Sequence, residues 1–195
     1  MKFKGAKGML VLFCLIFMLA AYYSYLSNRN IPQKEEGEEF SRVREVLARD
    51  LLRNYPATPK EVLKYYSELT QCFYNEEYTE QELAELSDKA IEMYDDELAA
   101  VKSREAYLND LKEDIADFEK DDIVISSYKV SNSTDVNYYT KDGRDCASLY
   151  CTYTLRRGTK LQATEEVFVL RKDAEGHWKI LGFDVVKHAV DQNQE

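Results

Sequence analysis

Two histidines, His177 and His188, are all the chain offers for imidazole chemistry. His177 stands at a turn beside Trp178, and His188 lies beyond the last apolar strand pattern. Neither has the spacing to a thiol or a second imidazole that a zinc site or a Cys–His nucleophile would need. The four cysteines are Cys14, Cys72, Cys146 and Cys151, with no Cys-x-x-Cys among them. Cys14 falls in an apolar run, apart from the rest. Cys146 and Cys151 share one strand pattern, face opposite sides of it and stand roughly 16 Å apart, too far to bond. Buried, free thiols are therefore expected.

The carboxylates are more numerous than focused. Asp95 and Asp96 fall about 100° apart on a helical pattern, which reads as a solvated acidic face, and no calcium-type Asp-x-Asp-x-Asp-Gly loop occurs. Glu165, Glu166 and Asp184 sit in strand patterns and are the acids that alternation could turn inward. Asp184 shares the parity of Trp178 and Ile180, unless Gly182 marks a bulge that reverses it. A carboxyl held in an apolar pocket has a raised pKa and is a functional candidate. Fifteen tyrosines are the compositional oddity. Tyr65, Tyr66, Tyr74, Tyr78, Tyr94 and Tyr107 fall on or near helical stripes, where they read first as an aromatic core and second as pocket walls, since the ring packs while the hydroxyl seeks a partner. The pocket candidates are thus Asp184, Trp178 and Tyr66. No catalytic, metal-ligating or cofactor-binding set emerges.

The elements that must position these residues divide into helices followed by strands. Phe40, Val43, Leu47 and Leu51 form one helical stripe. Thr58-Pro59-Lys60-Glu61 is a capping box with proline at the first helical position, opening a helix through Val62, Tyr65, Tyr66, Leu69, Cys72 and Phe73. A second box, Thr79-Glu80-Gln81-Glu82, opens one through Leu83, Leu86, Ala90, Met93 and on towards Val101. After a fresh cap near Ser103, Leu108, Leu111, Ile115 and Phe118 continue the period. Beyond Asp122 the pattern turns to strands at Ile123–Val130, Cys146–Arg156, Leu161–Lys172 and His177–Val186, the last three joined by Arg156-Arg157-Gly158-Thr159 and Asp173-Ala174-Glu175-Gly176 turns. The sequence predicts an α+β domain: three to four amphipathic helices over 40–120, packed on a four-stranded antiparallel sheet over 122–187. On that sheet Trp178 is expected to be buried against the helices.

The closing hairpin, Phe168-Val169-Leu170-Arg171-Lys172-Asp173-Ala174-Glu175-Gly176-His177-Trp178-Lys179-Ile180-Leu181-Gly182-Phe183, resembles the last hairpin of nuclear transport factor 2-like and cystatin-like domains. Tyr74-Asn75-Glu76-Glu77-Tyr78-Thr79 and Tyr94-Asp95-Asp96-Glu97-Leu98 are similar to stretches of uncharacterised membrane-anchored proteins of Gram-positive, Clostridia-type bacteria. The first resemblance implies helices lying in the concavity of a curved sheet, a cone-shaped pocket fold. Neither resemblance carries catalytic residues.

Ahead of the domain, Met9 to Leu26 is uncharged and apolar. Its eighteen residues would make a helix of roughly 27 Å, close to the thickness of a bilayer core. Lys2, Lys4 and Lys7 precede it and Tyr22, Tyr23 and Tyr25 end it, which predicts a span over 9–27 with a cytoplasmic N-terminus of residues 1–8. A cleaved signal peptide is the rival, but Met18 stands where a small residue should precede Ala20. Residues 28–39, with Pro32 and Gly37, read as a flexible acidic tether, 40–190 as the extracytoplasmic domain and 191–195 as a tail. Residues 1–34 carry five bases and no acid, whereas 35–122 carry 26 acids against 11 bases. That acidic body disfavours nucleic acid, whose binding relies on cations meeting phosphates. The functional expectation is a single-pass, membrane-tethered domain that binds a protein or envelope partner. The alternatives are a small-molecule pocket domain or enzyme on a cone-shaped fold, and a structural subunit of a membrane complex.

Overall fold

A computed structural model describes residues 41–186. The expected span at 9–27, the tether at 28–39 and the tail at 191–195 lie outside the described residues, and among those described no helix is long and apolar enough to cross a membrane. The order is α1 (Arg42–Leu47), α2 (Pro59–Asn75), α3 (Glu80–Glu92), α4 (Asp96–Ala99), α5 (Arg104–Lys120), β1 (Ile123–Val130), β2 (Asn137–Lys141), β3 (Arg144–Arg157), β4 (Lys160–Lys172) and β5 (Trp178–Val185). The domain is α+β, with the helices packed on an antiparallel sheet.

Both capping boxes form. The Thr58 hydroxyl accepts from the Glu61 N–H while the Glu61 carboxylate accepts from the Thr58 N–H, and Thr79 and Glu82 do the same at the start of α3. Ser103 caps α5 through the Ala106 N–H. Helix α2 lies on the sheet, burying Val62, Leu63, Leu69, Cys72 and Phe73. Its last residue, Asn75, donates to the carbonyl of Ile125 and accepts from the Ile125 N–H, both at 2.8 Å, and so ties the helix end to β1. That pairing sits where β1 shifts register between Ile125 and Ser127.

The sheet has five strands, one more than expected. Strands β3, β4 and β5 run side by side, and β1 and β2 pair end to end along the other edge of β3: β1 from Arg157 to Cys151, β2 from Ser148 to Arg144. Width is therefore four strands, as expected, with β2 added along the edge. All five residues of β2 are exposed, so no hydrophobic alternation announces it. Its signal is the turn that follows: Asp142 and Gly143 take φ of 52° and 76°, both positive as a two-residue type I′ hairpin requires.

Two further expectations are corrected. The helix opened by Thr79 does not run on to Val101. It ends at Glu92, and Met93–Asp95 lies alongside β5 as a bridge: the Ile180 N–H donates to the Met93 carbonyl and the Asp95 N–H to the Ile180 carbonyl, each at 2.8 Å. Val101 is consequently 70% exposed. Second, Asp184 does not share the face of Trp178 and Ile180. Val169 pairs with Gly182 but Leu170 with Ile180, so Leu181 is a bulge and every later residue of β5 changes sides. Phe183 turns to the helix-facing side and stacks on Phe168 at 5.2 Å. Asp184 turns away, exposed, its carboxylate accepting from the Val185 N–H.

Candidate functional site

The helices do not fill the space over the sheet. α2 buries ten of its residues, but α5 buries only Leu111 and Ile115, and between them and the strands lies a cavity of about 360 Å³. Tyr66, Phe73 and Tyr74 of α2 form one wall, Tyr107, Leu111 and Phe118 of α5 another, and Tyr153, Leu155, Thr164, Glu166 and Phe183 the floor on the sheet. The spacing of the α2 residues follows from helical period: 66, 70, 73 and 74 recur at three to four residues and share one face.

Glu166 reaches this floor by strand alternation. It lies across from Cys151 on β3 and Val185 on β5, and shares the face of Phe168 and Leu170. Burial pushes its carboxyl above the ordinary value. Among the described residues no cation or hydrogen-bond donor reaches that carboxylate. Its field is felt by the phenols of Tyr66, Tyr74 and Tyr153 and by the Cys151 thiol, all of which it helps to keep protonated.

The tyrosines are chained by their hydroxyls. Tyr66 and Tyr94 meet at 3.0 Å and Tyr94 and Tyr107 at 3.3 Å, the second pair edge to face. Burial is the first cause that lifts all three phenols well above the usual 10, so they act as neutral donors and acceptors. On the sheet side Tyr153 bonds to Ser67 at 3.0 Å, and Ser67 to Cys151 at 3.5 Å. At the mouth, Lys102 is held by Asp110 of α5. A second recess of about 220 Å³, lined by Ile91, Leu98 and Val101, shares Tyr94, Lys102, Tyr107 and Phe183 with the first.

The sequence candidates fall as follows. Tyr66 stands in the cavity wall, between Tyr94 and Phe168. Trp178 is buried at the far end of β5, where its ring meets Tyr138 at 5.8 Å and Lys172 covers it at 5.0 Å, outside the cavity. Asp184 is excluded by the bulge. Glu166, named beside Asp184 from the sequence, takes the inward position instead, and its parity with Phe168 and Leu170 was the available signal.

Away from the cavity, Asp95 is not on a solvated face. It is 4% exposed, caps α4 through the Glu97 N–H at 3.0 Å and receives the Arg171 guanidinium on both oxygens. Burial raises the Asp95 carboxyl, but Arg171 and the Glu97 N–H outweigh it and leave the pKa below the ordinary value. Glu97 adds a second carboxylate to Arg171 at 2.9 Å. Cys72, Cys146 and Cys151 are buried and free, and burial pushes the Cys72 thiol up to about 11. In the β4–β5 turn, Asp173, Glu175 and His177 bring potential ligand atoms within 4.8 Å of one another. Asp173 already closes that turn by accepting the His177 N–H at 2.7 Å, and the His177 ring stacks on Tyr55. The geometry of the turn accounts for the cluster.

No curated protein matches the chain. Across residues 1–183, which include the N-terminal segment and nearly all of the α+β domain, the sequence matches a family described as a domain of unknown function, and the chain belongs to that family, DUF6715.

Proposed function

We propose that this protein is a membrane-tethered, extracytoplasmic binding domain whose aromatic cavity takes a small molecule. The observation that carries the reading is the cavity itself: about 360 Å³, walled by aromatic rings, with a few converging polar groups and one inward carboxylate raised by burial. Concave, mostly apolar space with sparse polar groups is how proteins hold small ligands. A core would close such a gap, because unfilled space costs stability. The small-molecule reading therefore stands ahead of a protein or envelope partner. The uncharged run from Met9 to Leu26 behind Lys2, Lys4 and Lys7 supports the tether.

The test is a small-molecule library screened against full-length protein in lipid nanodiscs, read by thermal unfolding, beside a Thr164→Trp variant that fills the cavity floor. A ligand at a hundred times its Kd stabilises by about 2.7 kcal/mol. Hits should raise the melting temperature of the wild type and leave the variant unmoved. Hits that stabilise both equally, or a library without hits, would refute the cavity as a binding site.

A further inference from the structure

We infer that the cavity's ligand class is a small organic cation, an ammonium group carried on an apolar body; this rests on the small-molecule reading above. Charge balance at the site is the first argument. The lining holds three carboxylates, Asp110, Asp114 and Glu166, against one cation, Lys102, and Lys102 is already committed to Asp110. Glu166 is the innermost of the three, on the floor rather than the rim. It has no cationic or hydrogen-bonding partner among the described residues. A half-buried carboxylate in that state is costly, and an incoming cation supplies the missing counter-charge.

The walls give the second argument. Tyr66, Tyr74, Tyr94, Tyr107 and Phe118 line the same space, and aromatic rings attract cations through their quadrupole. The phenols stay neutral, since burial drives them upward, so the rings add no competing negative charge. An anionic ligand would meet the Glu166 field with no free cation to offset it. The adjoining recess of Ile91, Leu98 and Val101 offers the apolar body a place beyond the Tyr94–Tyr107 pair.

Three probes that share one ring and differ in charge decide the matter: benzylammonium, benzyl alcohol and benzoate, titrated into the full-length protein in nanodiscs and followed by calorimetry. Benzylammonium should bind at least tenfold more tightly than benzyl alcohol, about 1.4 kcal/mol, and benzoate should not bind. Glu166→Gln should bring benzylammonium and benzyl alcohol to within twofold of each other. A cooperative thermal unfolding of the Glu166→Gln variant, no lower in temperature than wild type at pH 7, shows that it keeps its fold. Asp114→Asn, at the exposed rim, should weaken the cation by no more than about threefold. Benzyl alcohol or benzoate binding as well as the cation would overturn the assignment while leaving the cavity a binding site. So would a cation preference that survives Glu166→Gln. Failure of all three probes to bind would overturn it too, and the library screen would then decide separately whether the cavity binds anything.

Discussion

Glu166 and Asp184 differ by one structural event, and that event decides which of two acids faces the cavity. Both sit in strands and both could be turned inward by alternation. Parity along β4 is unbroken from Glu166 through Phe168 to Leu170, so its inward position was legible from the sequence. Parity along β5 is broken by the bulge at Leu181, and although Gly182 hinted at a break, one residue type does not decide where a strand slips. Inward placement has a consequence for stability. Burial raises the Glu166 carboxyl from 4.5, so the folded state binds its proton more tightly than the unfolded chain does. Stability is then lost as pH rises from about 4.5 through the folded value. The titratable groups its field reaches are Tyr66 and Tyr74 on α2 and Cys151 and Tyr153 on β3, none of them cationic at neutral pH. Glu166→Gln is therefore expected to melt higher than wild type at pH 7, with the advantage fading below about pH 4.5. A melting temperature lowered by the substitution at pH 7 would show that the ionised carboxylate has a partner.

At the scale of elements, the sequence was most readable where side chains satisfy the backbone locally. Thr58, Thr79 and Ser103 start helices where their capping patterns place them, because each hydroxyl takes up an amide the helix leaves unpaired. Readability failed where tertiary pairing overrode a local period. The stripe through Met93, Tyr94 and Val101 continues the helical pattern, yet the backbone of Met93–Asp95 is drawn into hydrogen bonds with Ile180. Asp95 is therefore buried against Arg171 and not solvated. Strand β2 was missed for the opposite reason: it has no buried face, and only the Asp142-Gly143 turn marks it. The Asp95–Arg171 contact closes the junction between α3, α4 and the sheet. Asp95→Ala leaves a buried guanidinium with, among the described residues, only Glu97, and should cost about 3 kcal/mol in denaturant unfolding of the full-length protein, the low end for breaking a buried pair. The Asp95 carboxyl is lowered from 3.8, so its contribution is present above that pH and is lost as pH falls through the folded value. The gap between variant and wild type should narrow accordingly in acid.

The whole molecule joins a basic, apolar N-terminal segment to an acidic domain, and that asymmetry was plain in the charge count. Fifteen tyrosines are explained in part by the cavity, where three hydroxyls form one chain and rings line both walls and the floor. Sequence alone weighed an aromatic core above a pocket, since both place tyrosine on helical stripes. What separates them is how far α5 stands from the sheet, a distance set by the whole packing and by no single residue. On the function proposed above, this space is occupied by a small molecule in use. Native mass spectrometry of the full-length protein, purified directly from the cells that make it, measures that occupancy. A bound species of small mass, present on the wild type and missing from Thr164→Trp, is the expected result; no such species on the wild type, or equal amounts on both proteins, would show that the cavity holds no ligand.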